Sequence, residues 1–485
     1  MRAVDWRDVQ GLVLRGYPET PRAAYLPLHI EDAARARTWL DGLTGRLTRS
    51  TLRGEPERRA DREAPGGRRN IAFTWRGLRA LGLADEALET FPWYFREGMA
   101  TPARARILGD TGDSAPENWA WGAASEGENA IHVLLLLFAA DCDSLNKLID
   151  DETRAFAGAC RAVCKPILAR SPDKGREHFG FRDGISQPVI ANTPQARRIS
   201  VLDGPTGTVK AGEFVLGYIN EHGQRSESPS VARDPKAANG LPLTDDQPHV
   251  RSDLGFNGSY LVVRQLEQDV AGFWNYVADA VHAERGGTDP QAEDALAAKF
   301  VGRWPSGAPL TTTPHADDSG RARQNNFGFH AEDRHGYRCP IGAHIRRANP
   351  RDSLLDEPVE AARLANRHRM LRRGRIYGPP IGTIEDRKKR DGKERGLIFV
   401  CVAANIERQF EFVQQTWLNS TKFSGLHDEK DPLLGDQPTD GGGVLTIPGA
   451  PVRRRLTGIP RFVTVRGGGY FFMPGITALR YLAAL

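Results

Sequence analysis

The run GFRDGISQP, residues 180–188, sets a single carboxylate, Asp183, just ahead of one glycine and three residues after another. Glycines at 180 and 184 let the backbone take dihedrals that other residues avoid and let a bulky flat ligand approach closely. A carboxylate presented in this way is free to face a ligand and to relay a proton. An isolated Asp-Gly is ordinarily only a turn, so the argument rests on its company. In CPIGAHIRRANPRD, residues 339–352, one histidine, His344, follows a Pro-Ile-Gly-Ala approach and precedes Arg346 and Arg347. Imidazole can ligate iron, and guanidinium groups suit anionic oxygens. MLRRGRIYGPP, residues 370–380, adds Arg372 and Arg373 ahead of Gly374. Among the other histidines, His330 and His335 stand in a charged loop and are expected to be solvated, and His132 in an apolar run is expected to pack.

These groups must be carried by regular elements, and the chain shows a faint internal repeat of them. AYLPLHIEDAARARTWLDGL from Ala24 and SYLVVRQLEQDVAGFWNYVADAV from Ser259 each read as an apolar strand followed by an amphipathic helix, with Tyr25 to Trp39 and Tyr260 to Trp274 both 14 residues apart. A second pair, residues 131–150 and 397–417, gives an apolar strand, an Ala-Ala-Asp/Asn break, and a helix. RNIAFTW at 69–75 and RFVTVRGGGYFFM at 461–473 supply further strands. The expected class is α+β, a duplicated domain with antiparallel sheets and peripheral helices. The expected division is an N-terminal domain over 1–200, connecting loops over 201–256 around one short strand EFVLGYI, and a C-terminal domain over 257–485 with a polar surface insertion near 284–330.

Composition narrows the function classes. Lys plus Arg number 66 and Asp plus Glu 61, a net charge of +5 with no long basic block, which speaks against nucleic-acid binding. Five cysteines, irregularly spaced, suit neither a disulfide framework nor a zinc site and fit a reducing compartment. Cys160 and Cys164, four apart, read as packed thiols. The N-terminal residues lack the apolar core of a secretion signal, and the longest apolar run, AIHVLLLLFAA at 130–140, is shorter than the roughly 20 residues of a membrane span. The expectation is a cytoplasmic protein without a membrane partner, monomeric or homodimeric.

Asp, His and Arg in this order, each beside Gly or Pro, resemble the dye-decolorizing peroxidase family of haem enzymes. DVQGLVLRGYP near the start, EFVLGYINE at 213–221, NGSYLVVRQLEQDV at 257–270, the run at 395–417 and GGGYFFMPGI at 467–476 extend the resemblance over both halves. The length and the insertions resemble the larger bacterial and fungal members. The resemblance implies two ferredoxin-like halves with haem b, iron protoporphyrin IX, held in the second. It implies a peroxidase that reduces hydrogen peroxide by way of a ferryl porphyrin radical and oxidises phenolic or dye-like aromatic donors one electron at a time.

Carried onto this chain, the family pattern makes His344 the axial iron ligand and suggests a downstream carboxylate, Asp431, as its hydrogen-bond partner, with Asp428 and Asp436 as rivals. Asp183 would move a proton from one peroxide oxygen to the other, and an adjacent arginine would keep it ionised to mildly acidic pH. Arg372, favoured over Arg373, would stabilise the charge that develops as the O–O bond breaks. Arg346 or Arg347 would pair a haem propionate or lie solvated. Leu397 and Phe399 alternate on the strand GLIFV and share a face. They would serve as core or, in the family pattern, narrow the distal pocket to peroxide size. Bulky donors would then react at the haem edge or through surface aromatics such as Trp417 or Tyr377. Two rival functions are a haem-handling protein that releases iron, and a haem carrier or sensor, which would need no acid facing the ligand.

Overall fold

The structure is a computed structural model and describes residues 3–52, 67–124, 126–196, 207–233, 240–247, 249–383 and 385–485. Its centre is an antiparallel sheet. In the N-terminal half the strands are β1 (Arg22–Ile30), β2 (Arg68–Phe73), β3 (Val133–Ala139), β4 (Cys160–Ala162) and β5 (Ile167–Arg170). The C-terminal half supplies β6 (Ser259–Gln268), β7 (Leu371–Arg372), β8 (Arg375–Tyr377), β9 (Gly396–Ala403) and, past a hairpin of β10 (Gly443–Ile447) and β11 (Arg454–Ile459), β12 (Val463–Met473). The pairing order is β5-β1-β3-β2 in the first half and β12-β6-β9-β8 in the second. Counted within each half, both read fourth, first, third, second. With a helix after the first and third strands, that is a ferredoxin-like unit made twice.

The halves do not form separate sheets. Phe73 of β2 pairs with Phe472 of β12, and Arg170 of β5 pairs with Ile376 of β8, so eight strands close into a ring. The strand faces explain the sequence pattern. Leu134, Leu136, Phe138, Leu261, Val263, Ile398, Val400, Val402 and Phe471 fill one cluster inside the ring. Their alternates Val133, Leu135, Leu137, Tyr260, Val262, Cys401 and Phe472 belong to a second cluster on the outer face. A strand buried on both faces reads as an unbroken apolar run, which is why β3 is VLLLLFA.

Helices cover the outer face. In α1 (Ala33–Thr44) Asp32 caps the Arg35 N–H, and Ala36, Trp39, Leu40 and Leu43 are buried at the 3.6-residue period. α2 (Cys142–Phe156), capped by Asp141, buries Leu145, Leu148, Glu152 and Phe156. α3 (Val270–Arg285), capped by Asp269, buries Phe273, Trp274, Val277 and Val281. The repeated tryptophans thus occupy matching places, each on the helix that follows the first strand of its half. The fourth crossover, Glu407–Leu418, winds with π-type turns, a local irregularity often found beside functional sites.

Two expectations for the connecting regions are corrected. EFVLGYI is not a strand: Ala211–Glu213 form a 3-10 turn, and Phe214, Val215 and Leu216 are buried without strand pairing. Its apolar run satisfies a packing site, and Gly217, at φ +89°, turns the chain. The stretch 284–330 is not merely a polar surface insertion. It contains the helix Pro290–Val301 and a buried cluster of Ala298, Trp304, Leu310, Phe327 and Phe329. The expected boundary near residue 200 lies outside the described residues.

Candidate active site

A cavity of about 300 Å³ opens between the outer face of the second half-sheet and the segments that cover it. Alternation along the strands chooses its lining: Arg264, Leu266 and Gln268 from β6, Leu397 and Phe399 from β9, and Val463 and Val465 from β12. Phe410, Val413, Gln414 and Leu418 come from the π-wound helix. Asp183, His344 and Arg372, some 190 residues apart at the extremes, all reach this one space.

His344 opens the short helix α4 (His344–Ala348). Its Nδ1 lies 2.9 Å from Asp431 Oδ2. Asp431 is fully buried, and its Oδ1 accepts the N–H groups of Leu433 and Leu434 at 2.9 and 2.8 Å. Burial alone would raise the Asp431 pKa, but His344 and these donors outweigh it and hold the carboxylate below its usual range. An ionised Asp431 requires the proton on His344 Nδ1, which leaves Nε2 as the lone-pair nitrogen. The rivals sit elsewhere: Asp428 is exposed, and Asp436 pairs with Lys430 at 2.7 Å.

Asp183 stands in a turn whose glycines are both needed, since Gly180 has φ +97° and Gly184 φ +79°. Its Oδ1 accepts from Arg372 Nη1 at 2.7 Å and from the Gly184 N–H at 2.6 Å. Burial would raise its pKa, yet the Arg372 charge and the Gly184 hydrogen bond depress it below the ordinary value. Arg372 is placed by β7, and Gln187 pins its backbone through both N–H and C=O, at 3.0 and 3.1 Å. Arg373 points away and donates to the Leu12 and Val13 carbonyls.

The expectation for Arg346 is corrected. Its guanidinium donates to the carbonyls of Asp333, Cys339 and Arg334 and stacks over Phe329, and it does not line the cavity. Arg347 is likewise engaged by the carbonyls of Trp417, Ser420 and Glu429. The sequence places both on the helix right after His344, and a short helix turns successive side chains to different sides. The arginines that do face the cavity are Arg182, Arg264, Arg303, Arg351, Arg369 and Arg461, beside Arg372. Among the described residues Arg303, Arg351 and Arg369 donate to carbonyl oxygens but have no carboxylate within ion-pair distance. Burial pushes Arg351 down to about 9, with Arg303 and Arg369 adding to the effect. It pushes Arg303 and Arg369 to about 10. Uncompensated cations of this kind call for an anion. Arg351 stood in the quoted motif, seven residues after His344; Arg303 carried no local signal.

Glu177 is the other residue that sequence reasoning missed. Its carboxylate accepts from the Phe179 and Phe181 N–H groups at 2.8 and 2.9 Å and from Gln268 Nε2 at 2.7 Å, tying the Asp183 turn to β6. Burial pushes it up to about 7. Trp417, offered as a surface aromatic, is 5% exposed, and Tyr377 is 8% exposed. Two histidines line the cavity, His344, whose Nε2 is left free by Asp431, and His368, whose Nδ1 meets the Arg408 carbonyl at 2.6 Å. A wide apolar slot with such a histidine, and with arginines that lack a carboxylate partner on its wall, fits a flat porphyrin bearing carboxylates.

The comparisons agree with this geometry. No family model matches the chain. It is 30% identical over 434 residues to the dye-decolorizing peroxidase msp1 of Mycetinis scorodonius, covering 85% of this chain and 75% of the relative. It is 31% identical over 434 residues to the dye-decolorizing peroxidase AauDyP1 of Auricularia auricula-judae, covering 84% and 74%. A solved dye-decolorizing peroxidase in complex with 2,6-dimethoxyphenol superposes with a TM-score of 0.78 at 26% identity, covering 100% of both chains. The chain therefore belongs to the dye-decolorizing peroxidase family. It is a haem peroxidase, an oxidoreductase that uses peroxide and oxidises aromatic donors. Among the described residues no helix is long and apolar enough to cross a membrane.

Proposed function

We propose that the cavity holds haem b, with His344 Nε2 as the iron ligand, and that hydrogen peroxide is activated on the other face by Asp183 and Arg372. The haem would supply the iron that binds peroxide and the two oxidising equivalents released when the O–O bond is cleaved. Asp431 holds His344 in one tautomer and orientation and increases the basicity of Nε2. Arg303, Arg351 and Arg369 supply the positive charge for the propionates, in place of Arg346.

Asp183 is ionised and has Oδ2 free of protein hydrogen bonds among the described residues. It accepts the proton from the nearer oxygen of peroxide and returns it to the farther one, so that water is the leaving group. Arg372 keeps Asp183 ionised and faces the charge that grows on the departing oxygen. Leu397 and Phe399, which line the same cavity, would narrow the space beside the acid and keep wider molecules away from it. Small phenols such as 2,6-dimethoxyphenol, the compound bound by the solved relative, are suitable donors. Five free cysteines support a cytoplasmic setting.

The Asp183–Arg372 pair at 2.7 Å in the same cavity as His344 carries this reading. The test is the visible spectrum of haem-loaded protein within milliseconds of one equivalent of hydrogen peroxide. A loss of Soret intensity with new long-wavelength bands is expected for the native chain. Asp183→Asn is expected to retain haem and to react about 10²- to 10⁴-fold more slowly. An unchanged native spectrum, or unimpaired reaction in Asp183→Asn, would overturn the assignment.

A further inference from the structure

Arg69, Arg104 and Arg264 are buried, and each meets an acid, in Glu152, Glu411 and Asp110 respectively. The cavity wall that holds Arg303 and Arg351 uses an amide instead. Arg303 is 4% exposed. Its Nη1 donates to the carbonyls of Gly307 and Gln324 at 2.7 and 2.9 Å, and its Nη2 to Asn325 Oδ1 at 3.3 Å. Arg351 uses the same residue. Its Nη2 lies 2.5 Å from Asn325 Oδ1, and its Nη1 donates to the carbonyls of Asn325 and Phe327 at 2.8 and 3.0 Å. Two guanidinium groups, which can only donate, thus converge on one side-chain oxygen.

Phe327 adds a second neutral contact. The guanidinium carbons of Arg303 and Arg351 lie over its ring, 5.3 and 3.9 Å from the centroid. The carboxylate that follows Arg351 in the chain, Asp352, is turned to the backbone, where Oδ1 accepts from the Phe329 and His330 N–H groups at 2.6 and 3.2 Å. The Arg351 backbone holds φ +54°, a left-handed conformation that a residue with a side chain keeps only where its surroundings fix it. The two cations also repel each other. The arrangement costs stability in the apoprotein, and an anion that both cations are set to receive explains it.

We propose that Asn325 is a positioning residue whose neutrality is its function: it anchors Arg303 and Arg351 at the cavity wall and leaves their positive charge for the carboxylates of the porphyrin. The proposal rests on the reading of the cavity as a haem site, and it names what sets the preference of that site for a porphyrin with free carboxylates. An aspartate in this place would have the same shape and accept the same hydrogen bonds, yet its charge would cancel one of the two that a propionate is to meet. Phe327 works in the same sense, because the face of its ring attracts a cation without adding an anion. The bound porphyrin then supplies the counter-charge that the wall lacks, and the stability withheld from the apoprotein returns on binding.

Asn325→Asp separates this role from a merely structural one, because it moves stability and affinity in opposite directions. The melting temperature of the variant apoprotein is expected to rise, since the arginines gain a counter-charge. Its affinity for haem b is expected to fall at least about tenfold, about 1.4 kcal/mol. The dimethyl ester of haem b keeps the iron and the ring and lacks both charges, so its affinity for the variant is expected to stay within about twofold of native. Phe327→Leu, which keeps an apolar side chain, is expected to reduce the preference of the apoprotein for haem b over the ester about two- to fivefold. Unchanged haem affinity in Asn325→Asp, or an equal loss for haem b and for the ester, would overturn the proposal. So would a native apoprotein that binds the two alike, and in each case the assignments of His344 and Asp183 stand. A native apoprotein that binds neither would overturn the haem reading as well.

Discussion

In the proposed role Asp183 works only as an anion, and two opposed influences decide whether it is one. Burial raises its pKa; Arg372 and the Gly184 N–H lower it, and they win. The folded value therefore lies below the unfolded one of about 3.9. The ionised form, and whatever stability the pair contributes, is present above that range and is lost only as pH falls through the depressed folded value. The acid limb of kcat/KM for peroxide is accordingly expected below about pH 4. In Arg372→Ala burial is opposed only by the Gly184 bond and the His344 charge, so that limb should move to higher pH; a stopped-flow pH series measures it. At His344 the comparable device is Asp431. Asp431→Ala leaves Nδ1 without its acceptor and is expected to weaken haem binding about 10- to 100-fold, read by haem titration of the apoprotein. Unaltered affinity would show that the 2.9 Å contact orients nothing.

At the scale of elements, the strands choose which side chains see the cavity and the helices seal the sheet. α2 is tied to β2 by a buried acid: Glu152, at 0% exposure, accepts from Arg69 Nε and Arg46 Nη1, both at 2.6 Å. Glu152→Ala leaves Arg69, 7% exposed, buried without its carboxylate. A loss of about 3–5 kcal/mol is expected from breaking such a pair, visible as a lowered urea midpoint. The change lies in the first half, so the loaded cavity should retain its peroxide spectrum below the melting range. Glu177 belongs to this scale as well, because its three N–H donors hold the Asp183 turn against β6. Glu177→Leu is expected to slow the peroxide reaction with little change in haem affinity, since it disturbs the acid's turn and none of the groups assigned to the iron.

For the whole molecule, the ring of strands makes two sequence repeats into one unit. The seams are narrow, Phe73 with Phe472 and Arg170 with Ile376, yet the clusters inside and outside the ring draw on both halves. Residues 1–256 or 257–485 expressed alone would expose the apolar interior, and neither is expected to fold or bind haem. The full chain should unfold in one cooperative transition. Two well-separated transitions in calorimetry would show that the halves are independent domains. The closed ring also explains how Asp183, from the first half of the chain, comes to serve a cavity built mostly by the second.

The chemistry-bearing residues and the duplicated strand-helix plan were legible in the chain because both are local. A glycine on each side of an acid, a histidine in a Gly-Ala turn, an alternating apolar strand and a tryptophan 14 residues after a tyrosine are patterns of neighbours. The pairing of His344 with Asp431, 87 residues on, was legible only as a family pattern with rivals. Tertiary structure decided the remainder. It closed the two sheets into one ring, turned Arg346 away and brought Arg303 in from a stretch that read as surface. Each of these outcomes depends on which face of an element is covered, and by which distant segment. Burial, ion pairing and the direction of a guanidinium are properties of that covering, which no window of the sequence contains.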